Sequence, residues 1–148
     1  MKTLRSLLEA VGITDTRVPQ DLMIQSICQH SRDCTPNSVF FAFSGLHTDG
    51  LLYAKEAVER GAVCIISEQS IPRDLENRGL YCYTVSQGHR IFALMCAELH
   101  DNPQDKLSVI GVSGTDGKST TCDYLYQMLK ANDVKAGVLT TVGMDDGS

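Results

Sequence analysis

The chain has 148 residues, 43% hydrophobic and 21% charged, with a formal net charge of −5, an ordinary composition for a soluble globular protein. That acidic balance argues against a general nucleic-acid binder, which shows a basic face. No apolar run reaches the roughly 18 to 20 residues needed to cross a bilayer, so no membrane span is expected. The opening MKTLRSLLEAVGITD is broken by Arg5 and Glu9 too soon for a secretory core, and a cytoplasmic location is expected. Six cysteines are scattered, with neither a CxxC pair nor a zinc-like Cys/His spacing. Several sit in apolar runs such as AVCIIS and LYCYTV, so buried thiols are expected rather than disulfide or metal chemistry.

In chain order, residues 2 to 11 predict a short helix with Leu4, Leu7, Leu8 and Val11 on one face. A strand is predicted around Met23 to Cys28, and another at Val39 to Phe43 after the turn signal Thr35-Pro36-Asn37-Ser38. Leu51 to Arg60 has helical spacing through Leu52, Ala57 and Val58 and stops at Gly61. The runs Ala62 to Ser67 and Leu80 to Val85 read as buried strands, joined by a loop or short helical turn in IPRDLENRG. His89 to His100 predicts a helix with Ile91, Leu94, Met95 and Leu99 inward, ended by Asp101-Asn102-Pro103. A domain boundary is expected at Pro103, giving domains 1–103 and 104–148. Beyond it a strand over 107–112, a helix over 118–131 and a strand around Gly137 to Val142 make an α/β unit with a right-handed crossover. The fold class is α/β, and nothing repeats internally.

Between the strand at 107–112 and its helix lies the glycine-rich run VIGVSGTDGKSTT, residues 109 to 121. Strand, glycine loop, lysine, hydroxyl and helix follow in the order of a P-loop. Glycines let backbone N–H groups approach phosphate oxygens, the lysine adds a point charge, and the next hydroxyl can hold Mg²⁺. Gly114, Thr115, Asp116, Gly117, Lys118, Ser119 and Thr120 are therefore the candidate ATP-binding residues. Lys118 is the candidate catalytic charge, and Ser119 or Thr120 the candidate metal ligand. The strict GxxxxGK[ST] spacing fails by one place, because Val112 stands at its first glycine. A plain glycine turn beside a surface lysine is the simpler alternative.

The run Gly111 to Thr121 resembles the ATP loop of the Mur ligases, GxxGTNGK followed by Ser or Thr, with Asp116 where Asn is commoner. That family loop also lacks the first P-loop glycine. Upstream, His30-Ser31-Arg32, Val39 to Phe43, Gly45-Leu46-His47-Thr48-Asp49-Gly50 and Ala57 to Gly61-Ala62 resemble, in order and spacing, the first domain of the Mur ligases that add the third peptide residue. His30 replaces the usual Asp, and Phe43-Ser44 a commoner Leu-Pro pair.

The resemblance implies a small N-terminal α/β substrate domain, then the first strand, P-loop, helix and strand of an ATPase-like domain that is expected to be truncated. It implies an ATP- and Mg²⁺-dependent ligase that joins an amino acid to UDP-N-acetylmuramoyl-L-alanyl-D-glutamate through an acyl phosphate, for peptidoglycan and cell wall synthesis. It further implies that Ser31, Arg32, Leu46, His47, Thr48 and Asp49 form the UDP-substrate pocket. The fragment alone is expected not to ligate, because its partner domains would lie beyond residue 148. From the residues alone, Ser31-Arg32 could be a solvated turn, and Asp49-Gly50 a turn that caps the following helix. His30 and His47 carry no assigned role. A UDP-sugar or nucleotide-binding module without ligase activity, or a folylpolyglutamate synthetase-like enzyme, are the alternatives.

Overall fold

The computed structural model describes residues 2–45, 49–76 and 79–147, the side chain of Glu76 excepted. The chain forms two compact units, residues 1–107 and 108–148. In the first, four short strands make one parallel sheet: β3 (Ser26–Cys28), β4 (Ser38–Ala42), β5 (Ala62–Ser67) and β6 (Tyr81–Thr84), in that order. A separate antiparallel pair joins β1 (Lys2–Thr3) to β2 (Met23–Ile24). The predicted strand at 23–28 is thus two strands serving two different sheets.

The sheet is parallel because a helix or turn crosses back after each strand, and such a sheet must be covered on both faces. Its strands accordingly read as apolar runs, and all five residues of β4 are buried. Val39, Phe41, Cys64 and Ile66 face α1 (Leu4–Ala10) and α4 (Gly88–Leu99), where Leu4, Leu7, Leu8 and Met95 are fully buried. Phe40, Ala42, Ala62 and Ile65 face the other layer, with α2 (Ala54–Glu59) supplying Ala54 and Ala57 and α3 (Arg73–Glu76) supplying Leu75. Strand pleating explains the division from Val39 and Cys64 onward, since alternate residues point to opposite faces, while the register shift beside Ala62 leaves that residue on the face of Ile65. Thr3 starts α1 by accepting the Ser6 N–H at 3.2 Å. The long connection after α1 is tied down by the Arg5 guanidinium, which donates to the carbonyls of Thr16 and Val18. Asp15 in that connection pairs with Arg17 at 2.6 Å and accepts the Tyr83 hydroxyl at 2.9 Å. These partners hold its carboxyl well below the usual carboxylate range, Arg17 most of all.

Two helix faces differ from their predicted ones. Leu52 is 75% exposed and Leu94 45% exposed; α2 buries Ala54 and Ala57 instead, and α4 packs Phe92 beside Ile91 and Met95. Ala57 is three positions after Ala54 and Met95 four after Ile91, the one-face spacings of a helix.

The second unit holds α5 (Lys118–Ala131), whose limits agree with the predicted helix. Its buried residue is Tyr126, while Met128 is 65% exposed. The predicted strand at 107–112 does not form: it pairs with no strand among the described residues, and Val109 and Ile110 stay exposed. A parallel strand takes its hydrogen bonds from a neighbour. The neighbour expected here folds back on itself instead, β7 (Val138–Leu139) pairing antiparallel with β8 (Met144–Asp145) through a turn closed by Thr140 N–H to the Gly143 carbonyl at 2.9 Å. The predicted crossover unit is therefore represented by its loop and helix and a short hairpin. No helix among the described residues is long and apolar enough to cross a membrane.

No disulfide links the cysteines among the described residues. Burial pushes the Cys34 thiol up to about 11, and that of fully buried Cys64 well above its ordinary value. At pH 8, iodoacetamide followed by peptide mass spectrometry should therefore label half-buried Cys122 well before Cys34 and Cys64. Equal labelling of the three in a folded sample would contradict this core.

Candidate functional site

The first unit carries a cavity of about 450 Å³ at the carboxyl ends of β3 and β4, lined by Gln29, His30, Ser31, Arg32, Asp33, Phe40, Gly50 and Tyr53. Chain order explains its walls. Residues 29 to 33 leave β3 and turn through a short 3-10 helix at Ser31–Asp33, and Gly50 to Tyr53 form a second 3-10 turn leading into α2. The carboxyl edge of a parallel sheet is where such crevices open.

Gly50 shows how closely the second turn is pressed to the sheet. Its N–H donates to the Phe43 carbonyl at 2.8 Å. A Cβ there would stand 2.5 Å from that oxygen, 2.7 Å from the Phe43 nitrogen and 2.8 Å from the Ala42 carbonyl carbon, all of them backbone. Only glycine fits. Asp49 beside it caps the turn, its carboxylate accepting the Leu51 N–H at 3.0 Å. The capping alternative read from Asp49-Gly50 is therefore present in the structure.

Ser31 is 6% exposed and donates its hydroxyl to Glu56 Oε2 at 2.7 Å. Glu56 also accepts Arg60 Nε at 3.2 Å, one turn along α2. The Ser31 hydrogen bond, then Arg60, with the Arg32 charge adding to them, holds the Glu56 carboxyl below its usual value. Of the sequence-predicted substrate residues, Ser31 and Arg32 line the cavity and Asp49 adjoins it through Gly50. Leu46, His47 and Thr48 lie outside the described residues. Gln29, Asp33, Phe40, Tyr53 and Glu56 escaped sequence reasoning. The signal for Phe40 was its place in the buried strand, and for Tyr53 and Glu56 the short distance beyond Asp49-Gly50.

In the second unit the loop ends at Gly117, which is left-handed at φ 74° and stands just before α5 with no side chain capping the helix. The first-turn N–H groups of Lys118, Ser119 and Thr120 thus lie at the positive end of a 14-residue helix without a side-chain cap. Lys118 curls back, its Nζ donating to the carbonyls of Gly114 at 2.6 Å and Thr115 at 3.0 Å. Ser119 is half-buried, its hydroxyl 3.4 Å from that of Thr141, whereas Thr120 is exposed. This donor set fits a phosphate group: uncapped N–H groups and a lysine drawn over the loop, with no carboxylate bonded to it among the described residues. For a divalent cation the run offers the Ser119 and Thr120 hydroxyls and the Asp116 carboxylate, and no group of three or more His, Cys, Asp and Glu able to hold a metal occurs among the described residues.

No family model matches the chain. It is 36% identical over 135 residues to a UDP-N-acetylmuramoyl-L-alanyl-D-glutamate--2,6-diaminopimelate ligase of Chlorobium phaeobacteroides, covering 91% of this chain and 25% of the relative. It is 34% identical over 128 residues to a UDP-N-acetylmuramyl-tripeptide synthetase of Borreliella burgdorferi, covering 86% and 25%. The chain thus spans about a quarter of the length of the curated relatives it matches. Among solved structures, the MurF ligase of Thermotoga maritima in complex with ADP matches 76% of this chain and 25% of its own, at 28% identity and a TM-score of 0.54. A UDP-N-acetylmuramoyl-L-alanyl-D-glutamate--2,6-diaminopimelate ligase matches 94% of this chain and 28% of its own with a TM-score of 0.73, a likeness of fold at 16% identity.

Gly50→Ala should destabilise the first unit by about 1–3 kcal/mol, the usual cost of forcing a methyl into a filled site. Urea unfolding followed by circular dichroism checks this, and an unchanged midpoint would mean that the turn can stand away from β4.

Proposed function

As this chain belongs to the Mur ligase family, we propose that it contributes the UDP-substrate pocket and the phosphate loop of an ATP-dependent, ADP-forming amide ligase. The ligase adds an amino acid to UDP-N-acetylmuramoyl-L-alanyl-D-glutamate, a peptidoglycan precursor. Residues 1–103 are then the substrate domain and 104–148 the start of the ATP-binding domain. The observation that carries this reading is the cavity formed around Ser31 and Arg32 in a chain that also holds an uncapped helix start behind a lysine loop.

The first site suits the nucleotide end of such a substrate. A space of about 450 Å³ is within the usual range for a small-ligand pocket. Tyr53, which is 45% exposed, supplies aromatic surface for a planar base. Arg32 brings a guanidinium, whose forked donors match pyrophosphate oxygens.

ATP supplies the phosphoryl group that converts an unreactive carboxylate into an acyl phosphate, which an amine can open to an amide. The chain's own part is positioning and charge. Gly114, Thr115, Asp116 and Gly117 bring backbone close to the phosphates. Lys118 has three donors, of which the Gly114 and Thr115 carbonyls engage two, so a third remains to meet phosphate without unfolding the loop. Ser119 is the better candidate for Mg²⁺, because Thr120 projects about 100° further around the helix.

Calorimetric titration of the chain with UDP-N-acetylmuramoyl-L-Ala-D-Glu tests the first site. Ser31→Ala should weaken binding by about tenfold, the worth of one buried hydrogen bond. An unchanged affinity in the folded variant would remove Ser31 from the pocket. Titration with ADP tests the loop: Lys118→Ala should lose about tenfold to a hundredfold, the worth of a charge-assisted bond, while the folded first unit keeps its unfolding midpoint. Equal ADP affinity in the two proteins would refute the loop assignment.

A further inference from the structure

The segment 29–33 that lines the cavity is bracketed by two cysteines, Cys28 at the end of β3 and Cys34 just after the 3-10 turn. Both are buried, at 7% and 5% exposure. Their sulfurs reach across the turn in opposite directions. The Cys28 thiol donates to the carbonyl of Asp33, the residue next to Cys34, at 3.3 Å. The Cys34 thiol donates to the carbonyl of His30, two residues beyond Cys28, at 3.8 Å. Each thiol therefore ends on its partner's side of the turn. Burial above all raises the Cys34 thiol and the neighbouring Cys28 adds to it, while the Ser38 hydroxyl beside it favours the thiolate. Burial, and then the Cys28 charge, raise the Cys96 thiol of α4 as well.

We infer that Cys28 and Cys34 form an oxidisable pair, which hydrogen peroxide joins in an intramolecular disulfide that clamps the cavity-lining turn. The pairing concerns the thiols and the turn, and holds whatever the cavity binds. With Cys34 held protonated, Cys28 takes the first step. Its sulfur attacks the peroxide, an S–O bond forms as the O–O bond breaks, and the leaving oxygen carries off the thiol proton as water. Cys28 is then a sulfenic acid. The Cys34 sulfur attacks that sulfur, an S–S bond forms as the S–O bond breaks, and the departing hydroxide takes the Cys34 proton as a second water. Two thiols have lost two electrons and two protons, and one peroxide has become two waters. Oxidation removes both S–H donors from the turn, but such bonds are weak. Covalent closure of residues 28–34 outweighs them, so the oxidised turn is the tighter one.

The test treats the folded 148-residue chain with hydrogen peroxide, blocks the remaining thiols with N-ethylmaleimide in denaturant, and maps tryptic peptides by mass spectrometry. Trypsin cuts after Arg32, so Cys28 falls in peptide 18–32 and Cys34 in peptide 33–55. These two should be recovered as one disulfide-linked species that a thiol reductant separates and that Cys28→Ser does not form. The Asp33 and Cys34 amides close the turn onto the His30 and Ser31 carbonyls. In the oxidised chain, hydrogen exchange followed by NMR should find them about tenfold slower than in the reduced one. Linkage of 18–32 to 91–106, which carries Cys96, would overturn the pairing. So would Cys28 carried on to sulfinic acid without linkage, or both thiols left intact by peroxide that oxidises half-buried Cys122. The expected linkage with unchanged exchange would overturn the clamp. All of these are read on the wild-type chain, so a Cys28→Ser protein that fails to fold leaves the test standing.

Discussion

A four-stranded parallel sheet buried on both faces is the constraint on which the first unit depends. Each parallel junction needs a crossover, and each face needs a cover. With α1 and α4 on one side, α2 and α3 are left to seal the other, over Phe40, Ala42, Ala62 and Ile65. The cavity follows from this arrangement. The segment leaving β3 and the segment leaving β4 both emerge at the carboxyl edge, and the second must turn at once to lay α2 on the sheet. Gly50 permits that turn by bringing backbone against backbone. Asp49 closes it by capping. Once α2 is seated through Ala54 and Ala57, Glu56 falls where Ser31 can reach it. One covering helix therefore provides both packing and the polar support of a binding residue.

The second unit follows a different logic. Its helix α5 starts directly behind a left-handed glycine, and its first N–H groups are left without a side-chain cap. An uncapped helix start is a place for an anion. Lys118 meanwhile closes the loop onto itself through two carbonyls. The loop is thus held in shape by the same residue that would meet the phosphate, and two of the three ammonium donors serve that purpose before any ligand arrives.

Much of this was legible in the sequence. Helix α5 is legible from the glycine loop and lysine that precede it in P-loop order, and β5 from an unbroken apolar, β-branched run. The α/β class followed from alternating patterns. What stayed hidden depended on tertiary partners. Whether 107–112 joins a ladder depends on a neighbouring strand, and the residues meant to supply one form the β7–β8 hairpin instead. Leu94 and Leu52 carry the apolar signal of a core but point outward, because Phe92 and Ala54 occupy the inner faces. At the candidate site, Ser31 and Arg32 came from a motif. Glu56 did not, because a glutamate on a short helix looks like any solvated charge until the fold brings a serine 25 positions away against it.

That last pairing changes what the motif means chemically. Read as a sequence, a serine beside an arginine offers both a donor and an acceptor, and suits many ligands. In the fold, Glu56 accepts that donor, and the Ser31 hydrogen bond, followed by Arg60, holds its carboxyl below its usual value. A hydroxyl that could have bonded either way is reduced to one polarity, while Arg32 beside it remains purely a donor. The cavity thus presents an acceptor and a cation on adjacent residues. A ligand that satisfies both must carry an N–H or O–H at one point and an anionic group at another. A nucleoside diphosphate whose base carries an N–H has both.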